Sequence, residues 1–215
     1  MQRRQVLTAG LVTAAATSLG RPALAQTEPE IKWRITSSFP KSRDTIFGAT
    51  QMFCKYVAAA TDNKFQIQPF AAGEIVPGLQ ALDAVTSAAV ECAHTPLYFY
   101  SGKEATLAFG TGIPFGLNQR HQQSWWMNGG GAEIITEALK PFNAIGIPCG
   151  NTGAQMGGWF RKEINTIEDL KGLKFRIGGI GGQILARVGV VPQQIAAGEI
   201  YPALERGTID ATELS

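Results

Sequence analysis

The chain has 215 residues, 45% hydrophobic and 17% charged, with a formal net charge of +2. That apolar fraction is enough for a buried core and argues against disorder. The small, dispersed charge argues against a nucleic-acid or polyanion partner.

Residues 1–25 read as an export signal. Arg3 and Arg4 form a basic start, Val6–Leu19 is an apolar run, and Ala23-Leu24-Ala25 fits an A-x-A cleavage rule. Cleavage after Ala25 leaves Gln26 first and places the mature protein in the periplasm, by the Sec or the twin-arginine route. The run is shorter than the roughly 20 residues of a spanning helix.

Ile31–Ser38 alternates Ile31, Trp33 and Ile35 with Lys32, Arg34 and Thr36, which predicts a strand ended by Pro40. The loop after it leaves a strand's C-terminal end, where open α/β sheets bind ligands. Asp44 or Thr45 can cap a helix of about four turns ending near Thr61-Asp62-Asn63. A second strand follows at Phe65–Phe70, a helix after Pro77, and a third strand at Ala89–Thr95. The order β-α-β-α-β predicts a largely parallel sheet with helices on its faces. Tyr98-Phe99-Tyr100, directly after the third strand, can line a pocket or simply pack in the core. Residues 101–124 read as a loop. A helix is expected through Ile134, Ile135 and Leu139, then an apolar strand at Phe142–Cys149.

Asn151–Trp159 reads as a strand of small and polar residues. Thr166–Asp169 is a capping box opening one helical turn that Gly172 closes. Leu173–Ile177 is a strand with Arg176 near its end, and the glycine-rich Gly178–Gly182 turn leads into a helix at Gln183–Val188. Without G-x-G-x-x-G spacing, that turn offers no dinucleotide site, and no organic cofactor is expected. A short strand at Val190–Gln193, a helix at Glu199–Arg206 and a strand from Thr208 to Thr212 complete the reading.

Three cysteines (Cys54, Cys92, Cys149) form no C-x-x-C pair, and His94 and His121 form no metal-binding pattern. No nucleophile elbow or paired catalytic carboxylates promote an enzyme. Arg176 remains: its planar guanidinium matches a carboxylate bidentately, or serves a structural salt bridge. Asn151 and Gln155 can supply oxygens to a hard cation or donors to an anion, or serve loop hydrogen bonds. Glu213 can equally be a solvated carboxylate.

The stretches SSFPKSRDTIFGA, FAAGEIVPGLQALDAV, NTGAQMGGWFRKEINTIEDLKGLKFRIGG and VVPQQIAAGEIYPALERGTIDATE resemble the extracytoplasmic solute-binding subunits of tripartite ATP-independent periplasmic (TRAP) transporters. The resemblance spans the mature chain and is nearest the branch that captures 2-oxo acids and related monocarboxylates such as pyruvate or lactate. It implies a two-lobed, type II-like periplasmic solute-binding protein fold of the α/β class that closes on its ligand like a hinge. It implies no catalysis, and permease membrane subunits as partners; a periplasmic protein feeding a signalling receptor is the alternative.

By this resemblance Arg176 binds the ligand carboxylate, while Gln155, Glu213 and the backbone of Leu214 hold a sodium or calcium ion beside it. Asn151, Tyr98 and Tyr100 are implied pocket neighbours. Two departures stand out: the branch has tryptophan where Leu214 follows Ala-Thr-Glu, and its members run beyond 300 residues. The expected division is therefore a first lobe at 26–150 and the start of a second, incomplete lobe at 151–215. Unpaired edges in such a piece predict poor expression or weak binding.

Overall fold

The computed structural model describes residues 30–214. The expected signal segment with its cleavage site lies outside the described residues. The strands gather into two sheets, one from each half of the chain.

The first is a three-stranded parallel sheet with β1 (Ile31–Ser37) in the middle, flanked by β2 (Phe65–Phe70) and β3 (Cys92–His94). Ile35 pairs with Pro69 on one side and Cys92 on the other. Pro69 is tolerated because β2 is the edge strand. The strand forms, but its burial does not alternate as expected. Ile31 and Trp33 are exposed with Lys32 and Arg34, while Ile35, Thr36 and Ser37 are all buried, because only this half of the central strand is covered on both faces. Ile35 packs with Cys54 and Ile67 under helix α1 (Asp44–Ala60). α1 starts differently from expectation. Arg43 occupies its N-cap without a side-chain capping hydrogen bond, while Asp44 accepts from its neighbour Thr45 N–H at 2.7 Å. The Asp44 carboxylate still favours the helix, since it sits at the positive end of the dipole.

β3 is shorter than the predicted Ala89–Thr95. Ala88 takes a left-handed φ of 56°, and the amides of Ala89 and Val90 both donate to Ala84 O. They close helix α2 (Ala81–Thr86) and are lost to the ladder. The segment read as a loop holds a 3₁₀ turn at Ala105–Gly110, capped by Glu104, and helix α3 (Gln119–Asn128), capped by Asn118. α4 (Gly131–Leu139) follows after a sharp bend. Gly130 has φ +82°, and a Cβ at Gly131 would lie 2.7 Å from the Trp125 ring. Bulkier residues would push the two helices apart. These helices and the 3₁₀ turns bury Leu82, Phe99, Tyr100, Leu107, Trp126, Ile135 and Leu139, the largest core cluster.

Phe142–Cys149 is not a strand. Asn143 turns left-handed at φ 51°, and Ile145 and Ile147 are 75% and 77% exposed. An apolar run without a neighbouring strand gains nothing from extension. Asn151–Trp159 is likewise irregular until β4 (Trp159–Phe160), with Gly153 at φ +80° and Gly158 at φ +150°.

The second sheet has the order β4-β7-β5-β6, from β5 (Lys174–Arg176), β6 (Val191–Gln193) and β7 (Ala211–Thr212). β5 runs parallel to both neighbours; β4 alone is antiparallel. Only the acidic half of the Thr166 capping box forms: the Asp169 carboxylate accepts from Thr166 N–H, Thr166 Oγ1–H and Asn165 N–H. Asp169 N–H donates to the Thr166 carbonyl rather than its hydroxyl, and Ile167 stands at the N-cap. Helix α5 spans Gly179–Ala186, earlier than predicted, and α6 spans Ile200–Glu205. Leu173, Phe175, Val190 and Ala211 form one core here; Ile200, Ala203 and Ile209 form another. Among the described residues no helix is long and apolar enough to cross a membrane.

Candidate functional site

Arg176 ends β5, the strand between β6 and β7, so its guanidinium emerges among the exit loops of three strands. It is 1% exposed, although it carries a full charge. Burial of that charge requires partners, and two backbone carbonyls provide them. Nε donates to Ile195 O at 3.0 Å and Nη1 to Glu213 O at 2.7 Å. Nη1 also lies 3.5 Å from Glu213 Oε2, a side chain only 12% exposed. Glu213 N–H in turn donates to Arg176 O at 2.9 Å.

Glu213 is the electrostatic centre of this cluster. Burial pushes its carboxyl pKa up, while the Arg176 charge, a hydrogen bond from Gln155 and the Arg43 charge pull it down. Gln155, itself exposed, reaches Glu213 from the loop before β4. Leu214 turns its side chain onto the Ile200, Ala203 and Ile209 core, leaving its backbone beside Glu213.

Tyr98 approaches from the other sheet. Burial raises its phenol pKa, the Arg176 charge lowers it, Glu213 raises it, and a hydrogen bond with Arg176 lowers it again. Its ring lies 3.1 Å from where a Cβ of Gly179 would stand and 3.3 Å from that of Gly178. The glycine-rich turn after β5 therefore serves close packing, which explains why no phosphate-loop spacing is present. Gln194 fastens the same junction, donating from Nε2 to Phe99 O at 3.0 Å.

Of the residues singled out from sequence, the fold brings together Arg176, Glu213, Gln155, Tyr98 and the Leu214 backbone. It places the other two elsewhere. Tyr100 belongs to the largest core cluster, its hydroxyl accepting from Leu82 N–H at 3.2 Å and sharing a 2.8 Å bond with Thr95 Oγ1. Asn151 is exposed, and its Oδ1 accepts from Gly153 N–H at 2.7 Å.

Arg43 joins the cluster without having been singled out. Burial lowers its pKa, the Arg176 charge lowers it further, and Glu213 raises it. The available signal was its place in the loop leaving β1, at the carboxyl end of the sheet.

Two surface cavities lie elsewhere. One of about 310 Å³ is lined by Arg161, Lys162, Lys171 and Asp210; one of about 610 Å³ by Glu104, Glu133, Glu137 and Ile134. Neither includes Arg176 or Glu213. A buried guanidinium–carboxylate pair among strand exits is the stronger mark of a site than an open hollow rimmed by solvated side chains.

Comparison with known proteins meets this geometry. The family described as bacterial extracellular solute-binding protein, family 7, matches residues 36–215. The chain is 50% identical over 219 aligned residues to a monocarboxylate 2-oxoacid-binding periplasmic protein of Nostoc, covering 99% of this chain and 60% of that protein. A TRAP transporter solute-binding protein of Bordetella bronchiseptica, crystallised with copurified calcium and picolinate, superposes with a TM-score of 0.85 at 51% identity, over 87% of this chain and 56% of that one. A TRAP periplasmic solute-binding protein of Pseudoalteromonas atlantica, with bound sodium and pyruvate, gives 0.82 at 40% identity, over 86% and 56%. The chain therefore spans rather more than half the length of these relatives.

Proposed function

Because the chain belongs to the bacterial extracellular solute-binding protein family 7, we propose that it captures a small monocarboxylate, a 2-oxo acid such as pyruvate or the related lactate. It then delivers the acid to the membrane subunits of a TRAP-type permease. The observation that carries this reading is Arg176, buried at a strand end with Glu213 and Gln155 beside it. A carboxylate enters such a place only against a cation with fixed geometry, and the guanidinium fork supplies one. The relatives named for 2-oxo acids, or holding pyruvate, agree in ligand class.

The donor set also fits a hard cation. Glu213 offers a carboxylate, Gln155 an amide oxygen and Leu214 a main-chain carbonyl, and oxygen donors of this kind suit sodium or calcium. Such an ion would supply positive charge beside the ligand carboxylate and favour acids with a second oxygen next to it. Calcium and sodium in the two crystallised relatives support this assignment.

Two lobes, at 26–150 and 151–215, close on the ligand, with Tyr98 from the first meeting Arg176 from the second. Residues 1–25 direct export to the periplasm and are removed after Ala25. Binding proceeds without turnover. Calorimetric titration with pyruvate, lactate and longer 2-oxo acids tests the reading: pyruvate should bind with a dissociation constant near micromolar. Absence of heat for every acid in the panel would refute it.

A further inference from the structure

Gln194 is the first residue beyond β6, and the ladder fixes the chain just before it, where Ile177 N–H donates to Gln193 O at 3.1 Å. Its Nε2 donates to Phe99 O at 3.0 Å, across 95 positions of sequence. Phe99 lies in the 3₁₀ turn Leu97–Tyr100, at the exit of the first sheet. The next residue, Ile195, gives its carbonyl to Arg176 Nε at 3.0 Å. Two consecutive residues thus tie the arginine on one side and the turn that carries Tyr98 on the other. Gly178 makes room for this. A Cβ there would lie 2.8 Å from Gln194 Oε1 and 3.3 Å from Tyr98 Cε2. Its φ of −111° suits any residue, so what the glycine provides is space for the Gln194 amide.

Resting on the reading that two halves of the chain close on a monocarboxylate, we propose that Gln194 is a positioning residue of the closed form, a latch that slows release of the acid without touching it. The bond joins the two sheets' exits, so it exists only while they are together. Opening breaks it and hands the exposed Gln194 amide to water. A bond made after capture cannot speed capture; it lowers the rate of leaving. One neutral hydrogen bond exchanged for water is worth roughly three- to tenfold in an equilibrium constant. That factor falls on dissociation rather than association.

Pyruvate association and dissociation rates are read by stopped-flow tryptophan fluorescence for the full chain, Gln194→Ala, Gly178→Ala and the double variant. Gln194→Ala should raise the dissociation rate roughly three- to tenfold and leave association within about twofold. Gly178→Ala should release at least as fast, because its Cβ displaces the amide. In the double variant that space is free again, so its rate should stay within about twofold of Gln194→Ala rather than multiply. Gln194→Glu adds a signature that a merely structural residue would not give. Ionised, it can only accept and releases at least as fast as Gln194→Ala; protonated below about pH 4, it donates and returns toward the parent rate at that pH. A parent-like dissociation rate in Gln194→Ala, or an affinity loss carried by slower association, overturns the latch while pyruvate binding by the parent leaves the capture reading standing. A parent that binds no acid of the panel refutes that reading and the latch with it.

Discussion

Replacing Arg176 with alanine should damage both the fold and the binding, by amounts that follow from its contacts. The substitution removes two hydrogen bonds from a charged donor, to Ile195 O and Glu213 O, each worth about 1.5–3 kcal/mol. It also strands Glu213, buried and deprived of its nearer guanidinium. Breaking a buried pair costs about 3–5 kcal/mol; Arg43 remains near Glu213 and holds the loss to the lower end. In a chain of this size a loss of at least about 3 kcal/mol corresponds to a Tm lower by at least roughly 6–12 °C. Losing the ligand's charged anchor costs a further 2–5 kcal/mol in affinity, a weakening of at least about thirtyfold. Differential scanning calorimetry and pyruvate titration read the two separately. Arg176→Lys should keep much of the Tm but bind weakly, because an ammonium lacks the fork. An Arg176→Ala variant that melts lower yet binds pyruvate within about threefold of the parent would show that the guanidinium is purely structural. That would refute the reasoning.

Further outcomes follow from other contacts. Tyr98→Phe should weaken pyruvate binding with little change in Tm. Tyr100→Phe should do the reverse, losing about 1–3 kcal/mol in denaturant unfolding because Leu82 N–H is left without its acceptor. Burial lowers the pKa of His94, whose Nδ1 lies 2.7 Å from Thr50 Oγ1. Its folded pKa is then below its unfolded one, so its contribution is present above about pH 6.5 and lost as pH falls through the folded value. His94→Gln should flatten stability against pH in that window. Burial raises all three thiols, that of Cys92 to about 11, but Cys54 is buried and Cys92 half-buried whereas Cys149 is exposed. Brief alkylation of the native protein should therefore modify Cys149 first, as mass spectrometry after digestion will read.

Much of the frame was legible because its signals are local. Apolar alternation located β1, though not its buried half, helical spacing set α1, and the acidic half of the Thr166 capping box needs only four or five consecutive residues. Segments 142–149 and 151–159 failed because a strand needs a partner, and no periodicity reveals whether one lies alongside. Among site residues, Arg176 and Glu213 were accessible through the motifs that carry them. Tyr98 and Tyr100 differ by two positions in the same aromatic run, yet one faces the guanidinium and the other fills the core. Only the path of the 3₁₀ turn at Leu97–Tyr100 decides between them. Arg43 was missed for a related reason: its charge acts on Glu213 from the other sheet, a nearness that sequence distance conceals. Ile195 contributes only a carbonyl, which no side-chain pattern can announce.

The grip of Arg176 on Ile195 and Glu213 also bears on how small an acid the protein can hold. Pyruvate has about six non-hydrogen atoms, and the best tiny ligands reach about −1.5 kcal/mol per atom, a ceiling near −9 kcal/mol. Micromolar binding takes about −8 of that. An arginine that had to be ordered on ligand arrival would forfeit up to about 2 kcal/mol of rotamer freedom. Here Nε and Nη1 are tied down by main-chain oxygens in the folded protein itself. The entropy is surrendered during folding, and nearly all of a three-carbon acid's interaction energy is left to appear as affinity.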